Sequence, residues 1–325
     1  MFRRKSRPGI RAKGTTWRAM AGLANVALLA VALTVLALGC NGKPEERRFR
    51  VAVDILPYAD LVSQVAGELA EVEVLVPPGS SPHTYELTPR QRAFLEEADL
   101  VVANGLGLEP WLEELLKKGT RGRVLLVGEK VPAEMLIGVE GHAHAGEEAS
   151  QVVDPHVWLD PQLMALLAEE VAGAMAELEP SRAEEFRRNA RAFREKIEQL
   201  DEEIRKELED ITRRDFVAYH SAWAYFARRY GLVQVGVVEE RPGEEPGARE
   251  LARLAEEMRR TGTTVIFTEP QLNPQAAKVL AREVGSQVKV VELDPLGRED
   301  DPERSDYLSL MRYNLQRMVG ALGGK

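Results

Sequence analysis

From residue 48 onward, short β-branched apolar runs alternate with segments whose apolar positions recur at helical spacing. "RFRVAVDI" predicts a strand, "YADLVSQVAGE" a helix and "VEVLVPPG" a strand; "PRQRAFLEEA", "DLVVAN", "PWLEELLKKG" and "RVLLVG" continue as helix, strand, helix, strand. A second block repeats the rhythm, from "DFVAYH" and "SAWAYFARRYG" through "VQVGVV", "PGARELARLAEEMRRTG", "TTVIFTE", "PQAAKVLAREVG" and "KVVELD" to a closing helix, "DYLSLMRYNLQRMVGALG". Such alternation predicts parallel sheets flanked by helices. Between the blocks, Phe186, Ala190, Phe193, Ile197, Leu200, Ile204, Leu208 and Ile211 form a stripe at steps of three and four, uninterrupted by Pro or Gly. That predicts one helix over 181–211, roughly 45 Å long at 1.5 Å per residue. A coiled-coil seam is the other reading of the stripe; Ala and Phe within it, and the α/β patterns on each side, favour packing against the chain's own domains.

The expected architecture is therefore α/β: an N-terminal lobe over 49–180, a linking helix over 181–211 and a C-terminal lobe over 212–325. A chain of 325 residues is long enough for two ordinary domains.

The first forty residues follow another pattern. Seven basic and no acidic residues occupy positions 1–20, and the apolar run "AGLANVALLAVALTVLALGC" ends on the only cysteine, Cys40. A basic region followed by an apolar one reads as a secretory signal over 1–39. Gly39-Cys40 resembles a bacterial lipoprotein signal, whose cleavage leaves a lipidated cysteine, although Ala37 stands where that signal more often has Leu. The alternative is an uncleaved anchoring helix, since the run is about long enough to span a bilayer. Both readings export the rest of the chain, with 40–48 as a polar tether. Loss of the seven positive charges takes the formal charge from −9 to −16. The exported part is acidic and shows no basic stripe for nucleic acid.

The candidate chemistry lies in five histidines. His83 follows the strand "VEVLV", His220 ends "DFVAYH", and His156 lies between two Asp-Pro pairs in "VVDPHVWLDP", ahead of a helix; Asp294 ends "VKVVELD". In open α/β sheets ligands bind outside the carboxyl ends of the strands, so these four groups converge if the lobes face each other. Three imidazoles and a carboxylate suit a four-coordinate zinc. Each residue singly also has a structural reading, as a strand-end or turn residue, and no short metal motif is present. Asp154 is placed either to orient His156 or to cap a turn, and Glu269 either to support the cleft or to face solvent. The segment "GVEGHAHAGEEAS", with His142 and His144, reads either as a metal-catching loop or as a plain insertion.

In combination, "SPHTYELTP", "DPHVWLDP", "YHSAWAYFARRYGL", "EPGARELARLAEEMRRTGTTVIFTEPQ" and "LDPLG" resemble, in order and over nearly all of 49–325, the ZnuA-like metal-binding proteins of ABC importers. The resemblance implies two lobes bridged by a rigid helix and Zn(II) as transported cargo. It implies His83, His156 and His220 as ligands with Asp294 as the fourth. It also implies a membrane permease with its ATPase as partners, a lipid anchor on Cys40, a monomer working outside the cytoplasmic membrane, and no enzymatic role. Manganese-binding relatives carry a carboxylate at the position of His220, so the chain resembles the zinc branch. An exported zinc hydrolase and a surface adhesin are the competing classes; the first lacks a separate acid, base or nucleophile constellation.

Overall fold

Two four-stranded parallel sheets carry the structure, a computed structural model that describes residues 48–139, 152–241 and 243–323. The signal region, Cys40, the tether apart from Arg48, His142 and His144 lie outside the described residues.

The first sheet is built from β1 (Phe49–Val53), β2 (Ala70–Val74), β3 (Leu100–Ala103) and β4 (Arg123–Leu126), in the order β2-β1-β3-β4. Helices α1 (Leu56–Ala66), α2 (Pro89–Glu97) and α3 (Pro110–Lys118) connect them. A short antiparallel pair follows, β5 (Gly138–Val139) with β6 (Val152–Val153), which the hydrophobic pattern does not announce. Next comes α4 (Pro161–Leu178), whose Asp160 side chain accepts from Gln162 N at 2.9 Å with Pro161 opening the first turn, as the Asp-Pro pair predicts.

The second sheet has β7 (Asp215–Ala218), β8 (Val233–Val237), β9 (Val265–Thr268) and β10 (Lys289–Glu292), in the order β10-β9-β7-β8. Its helices are α6 (Ala224–Tyr230), α7 (Ala248–Thr261), α8 (Gln275–Val284) and the closing α9 (Tyr307–Leu322). Read from its other edge this is β8-β7-β9-β10, so both sheets share one topology. In each, the chain leaves the first strand toward one neighbour and later returns to its other side. That leaves a switch-point crevice between β1 and β3 and another between β7 and β9.

The linking helix α5 runs over Ala183–Glu207 after a 3₁₀ turn at Pro180–Arg182, shorter at both ends than the 181–211 expected. The apolar stripe overruns it because Leu208 and Ile211 stay buried after the helix has stopped. Arg214 Nη2 donates to Leu208 O at 3.0 Å, satisfying a carbonyl that the next turn would otherwise use. Phe186, Phe193, Ile197, Leu200 and Ile204 are buried in one core that draws on both sheets. On the same helix Asp201 accepts from Arg229 Nη2 at 2.6 Å and from the Tyr230 hydroxyl at 2.7 Å, tying α5 to α6. Among the described residues no helix is long and apolar enough to cross a membrane.

Candidate metal site

The segment "DPHVWLDP" is pinned at four points. Asn104, at the end of β3, donates from Nδ2 to Pro155 O at 2.9 Å. The Tyr225 hydroxyl donates to Asp154 O at 2.8 Å, and the Tyr307 hydroxyl to Trp158 O at 2.8 Å. Trp158 donates from Nε1 to Pro295 O at 2.8 Å, a strut from the His156 segment to the loop after β10. Trp158 is fully buried, and burying a side chain of that size stabilises the fold by at least ~2 kcal/mol. His156 is not in an extended run, as its Asp-Pro neighbours suggest, but caps a 3₁₀ turn at Val157–Leu159. The turn aims the ring inward and passes the chain to α4.

His220 lies two residues past β7, at the second crevice, where Glu269 stands one residue past β9. His83 comes from the loop after β2. The three rings meet: Nε2 of His156 lies 3.2 Å from Nε2 of His83 and 3.1 Å from Nε2 of His220. One ring nitrogen from each falls within 4.8 Å of the other two. The opposite nitrogens of two rings are committed. His156 Nδ1 donates to Asp154 Oδ1 at 2.8 Å, and His220 Nδ1 donates to Glu269 Oε1 at 2.8 Å. Both carboxylates are buried. They fix ring orientation and tautomer, leaving each Nε2 as a lone pair directed at its neighbours. Lone pairs about 3 Å apart repel unless a cation lies among them, so the arrangement calls for a proton or a metal ion.

Burial acts on these rings in different ways. His83 has no carboxylate partner among the described residues, and burial, helped by the adjacent His156 and His220, pushes its pKa down to about 2. For His220 burial again disfavours the charged ring, but the Glu269 charge and hydrogen bond outweigh it, and its pKa lies above the ordinary imidazole value. The cavity in front of the rings leaves about 20 Å³ for the centre of a water-sized sphere, slightly more than one water needs.

Asp294 does not join this group. It is fully buried, but its Oδ1 accepts from Leu296 N, Gly297 N and Gln271 Nε2, each at 3.0 Å. Its Oδ2 accepts from Arg304 Nη1 at 3.1 Å. The three-histidine group that could hold a metal does not include it. The carboxylate shapes the Pro295–Leu296 wall of the cavity. Glu239, two residues past β8, does line the cavity beside His83, His156, His220 and Glu269, and residue-by-residue reading passed over it. The signal was available: the strand-end rule that singles out His220 and Asp294 also selects Glu239. It was masked by the surrounding charge run "EERPGEE". The Trp223 and Tyr225 side chains are fully buried core residues.

Residues 51–321 match the ZnuA family, described as zinc-uptake complex component A, periplasmic. The chain is 30% identical over 299 residues to a zinc-binding lipoprotein AdcA of Streptococcus pneumoniae, covering 90% of this chain but 59% of that protein, so it spans well under two thirds of that relative. It is 26% identical over 280 residues to the high-affinity zinc uptake system protein ZnuA of Bacillus subtilis, covering 85% and 88% of the two chains. Among solved structures, a crystal structure of ZnuA superposes with a TM-score of 0.74 at 32% identity, covering 85% of this chain and all of that one. The periplasmic zinc-binding protein TroA of Treponema pallidum superposes with a TM-score of 0.75 at 25% identity, covering 85% and 99%. By its match over residues 51–321, the chain belongs to the ZnuA family.

Proposed function

We propose that this chain is an extracytoplasmic solute-binding protein that captures Zn(II) between its lobes and hands it to an ABC permease driven by a cytoplasmic ATPase. The observation that carries the reading is the convergence of three Nε2 atoms, with the rings of His156 and His220 oriented from behind by buried carboxylates. Zinc bound by imidazoles at about 2.0–2.1 Å in a tetrahedron sets its nitrogens ~3.3 Å apart. The spacings of 3.2 and 3.1 Å need an adjustment of only a few tenths of an ångström to match. An imidazole set also favours zinc over the oxygen-seeking Mg²⁺, Ca²⁺ and Mn²⁺.

In this reading His83, His156 and His220 are the ligands, and Asp154 and Glu269 orient the last two. Asp294 would complete the set only by giving up or sharing Arg304 on Oδ2, or Gln271 and two backbone amides on Oδ1. The proposal extends to the rest of the chain: residues 1–39 direct export, Cys40 carries the lipid anchor, and the protein acts as a monomer at the outer face of the cytoplasmic membrane. Residues 49–180 and 212–325 serve as the two lobes on either side of the linking helix, and His142 and His144 as accessory metal contacts near the cleft. No chemistry on the cargo is required.

Metal content of the chain lacking residues 1–39, followed by competition titration of the stripped protein, tests the reading. One zinc per chain, held more tightly than manganese, is the expected result. A chain that retains no stoichiometric metal, or prefers manganese, would overturn the zinc assignment.

A further inference from the structure

The four carboxylates around the histidine cluster are not equally committed. Asp154 Oδ1 is taken by the His156 ring and backbone, Glu269 Oε1 by His220, and both oxygens of Asp294 by Arg304, Gln271 and two amides. Asp154 Oδ2 is also without a partner, so a spare oxygen alone does not set Glu239 apart. What does is that its one hydrogen bond among the described residues comes from a backbone amide, Gly243 N to Oε1 at 2.6 Å, and not from a ring of the cluster. Glu239 is only 6% exposed, and it lines the cavity with all three histidines.

The backbone holds it there. Glu239 N donates to Tyr219 O at 2.7 Å, and Tyr219 N donates to Phe267 O at 2.7 Å. The strand-end residues 219, 239 and 267 are therefore tied in one rung, with His220 and Glu269 just beyond it. The turn it closes reaches the other lobe: Gly243 has φ +87°, and a Cβ placed on it would come within 3.2 Å of Thr84, the residue after His83. Glu239 thus stands beside His220 and, through Gly243, against the His83 loop. Three neutral imidazoles leave a four-coordinate ion one position short, and a carboxylate already desolvated at the cavity wall is suited to fill it.

Building on the proposed zinc site, we infer that Glu239 supplies the oxygen ligand at the fourth position of the bound metal. Like Asp294 it lies outside the three-histidine group, so its side chain must turn toward the ion, exchanging or sharing the Gly243 amide. Asp294 keeps Arg304 and holds the wall.

The test compares the wild-type chain, Glu239→Gln and Asp294→Asn by zinc competition titration and by the visible spectrum of the Co(II)-loaded proteins. Gln keeps an acceptor for Gly243 N, so Glu239→Gln retains the turn, which circular dichroism and thermal melting check. The expected result is a loss of zinc affinity in Glu239→Gln of at least the ~10-fold that outer-shell partners are worth. Its Co(II) bands change in position and intensity, while those of Asp294→Asn keep the wild-type form. Unchanged affinity and spectrum in Glu239→Gln would overturn the inference while leaving the zinc site standing. So would a Co(II) spectrum that responds to Asp294→Asn and not to Glu239→Gln. A wild-type chain that binds neither metal would overturn both readings.

Discussion

The two sheets have one topology and opposite uses for their switch points. In the first lobe, Asp54 follows β1 and Asn104 follows β3, and the polar groups there bond inward. Asn104 N donates to Asp54 Oδ2 at 2.8 Å and to Glu109 Oε1 at 3.0 Å, and the Tyr58 hydroxyl donates to Asn104 Oδ1 at 2.6 Å. In the second lobe the corresponding crevice holds His220 and Glu269, paired with each other but with the His220 Nε2 turned to the cavity. Its other strands end near Glu239 and Asp294. The first lobe seals its strand ends and delivers its histidines on loops, whereas the second puts side chains from its strand ends at the site. A doubly wound sheet therefore provides a place for a site without dictating that the place be used. Polar residues at the crevice decide, through whether their hydrogen bonds close among themselves.

The largest break in this comparison comes from the cluster itself. His156→Ala removes the ring that touches both others, and zinc affinity should fall by far more than the ~10–100-fold assigned to outer-shell groups. Competition titration measures it; retention of near wild-type affinity would mean that the cluster is not the site.

A sharper contrast sets Glu269→Gln against Glu109→Gln, one buried carboxylate from each lobe. Glu269→Gln removes the charge behind His220, and zinc affinity should drop ~10–100-fold. Glu109→Gln should leave affinity within about twofold, because its partners are Asp54 and the amides of Asn104 and Gly105, and changes at sites without shared partners act independently. Equal losses from the two would erase the functional distinction between the crevices.

Asn104→Ala probes a direct side-chain hydrogen bond from the sealed crevice to the metal loop. It leaves the buried Tyr58 hydroxyl without its acceptor and removes the donor to Pro155 O. Unfolding free energy should fall by about 1–3 kcal/mol for the unsatisfied buried partners, read from denaturant midpoints. The loss of zinc affinity should be smaller than for Glu269→Gln, since Asp154, Tyr225 and Tyr307 still hold the segment.

How much of this was readable beforehand follows the range of the interactions. Alternating strands and helices, the linking stripe and the three histidines were legible because each is written in local spacing or in strand-end position. The commitment of Asp294 was not. Arg304 lies ten residues on, in "REDDPERSDY", which reads as a solvated loop, and only folding brings its guanidinium to the carboxylate. Glu239 was hidden in the opposite way, since one buried acid among exposed ones has no local mark. The roles of Asp154 and Glu269 stayed open because two readings of each fit the same spacing; Asp154 does both, its Oδ1 accepting from the backbone N and the ring of His156, while Glu269 is buried against Nδ1 of His220. The helix end at Glu207 was missed because apolar periodicity records burial, and burial continues past the last helical hydrogen bond.

The smallest expected effect concerns the sealed crevice alone. Burial raises the pKa of Asp54 and, more strongly, of Glu109, and the carboxyl of Glu109 lies against that of Asp54. In the pH interval between the ordinary and the raised value the folded pair is therefore expected to hold a proton, which lets one carboxyl donate to the other. An unfolded Glu109 loses its proton near the ordinary value of 4.5. As pH rises from there toward the raised folded value, the folded state binds more protons than the unfolded one, and stability must fall. Below the ordinary value this penalty is absent, and above the raised value it is fully present. Glu109→Gln carries no such proton, so over that interval its stability should depend less steeply on pH than that of the wild type. Denaturant melts of the metal-free proteins at several pH values measure the difference in slope. Parallel curves would show that the pair holds no proton, leaving the crevice closed by Asn104 and Tyr58 alone.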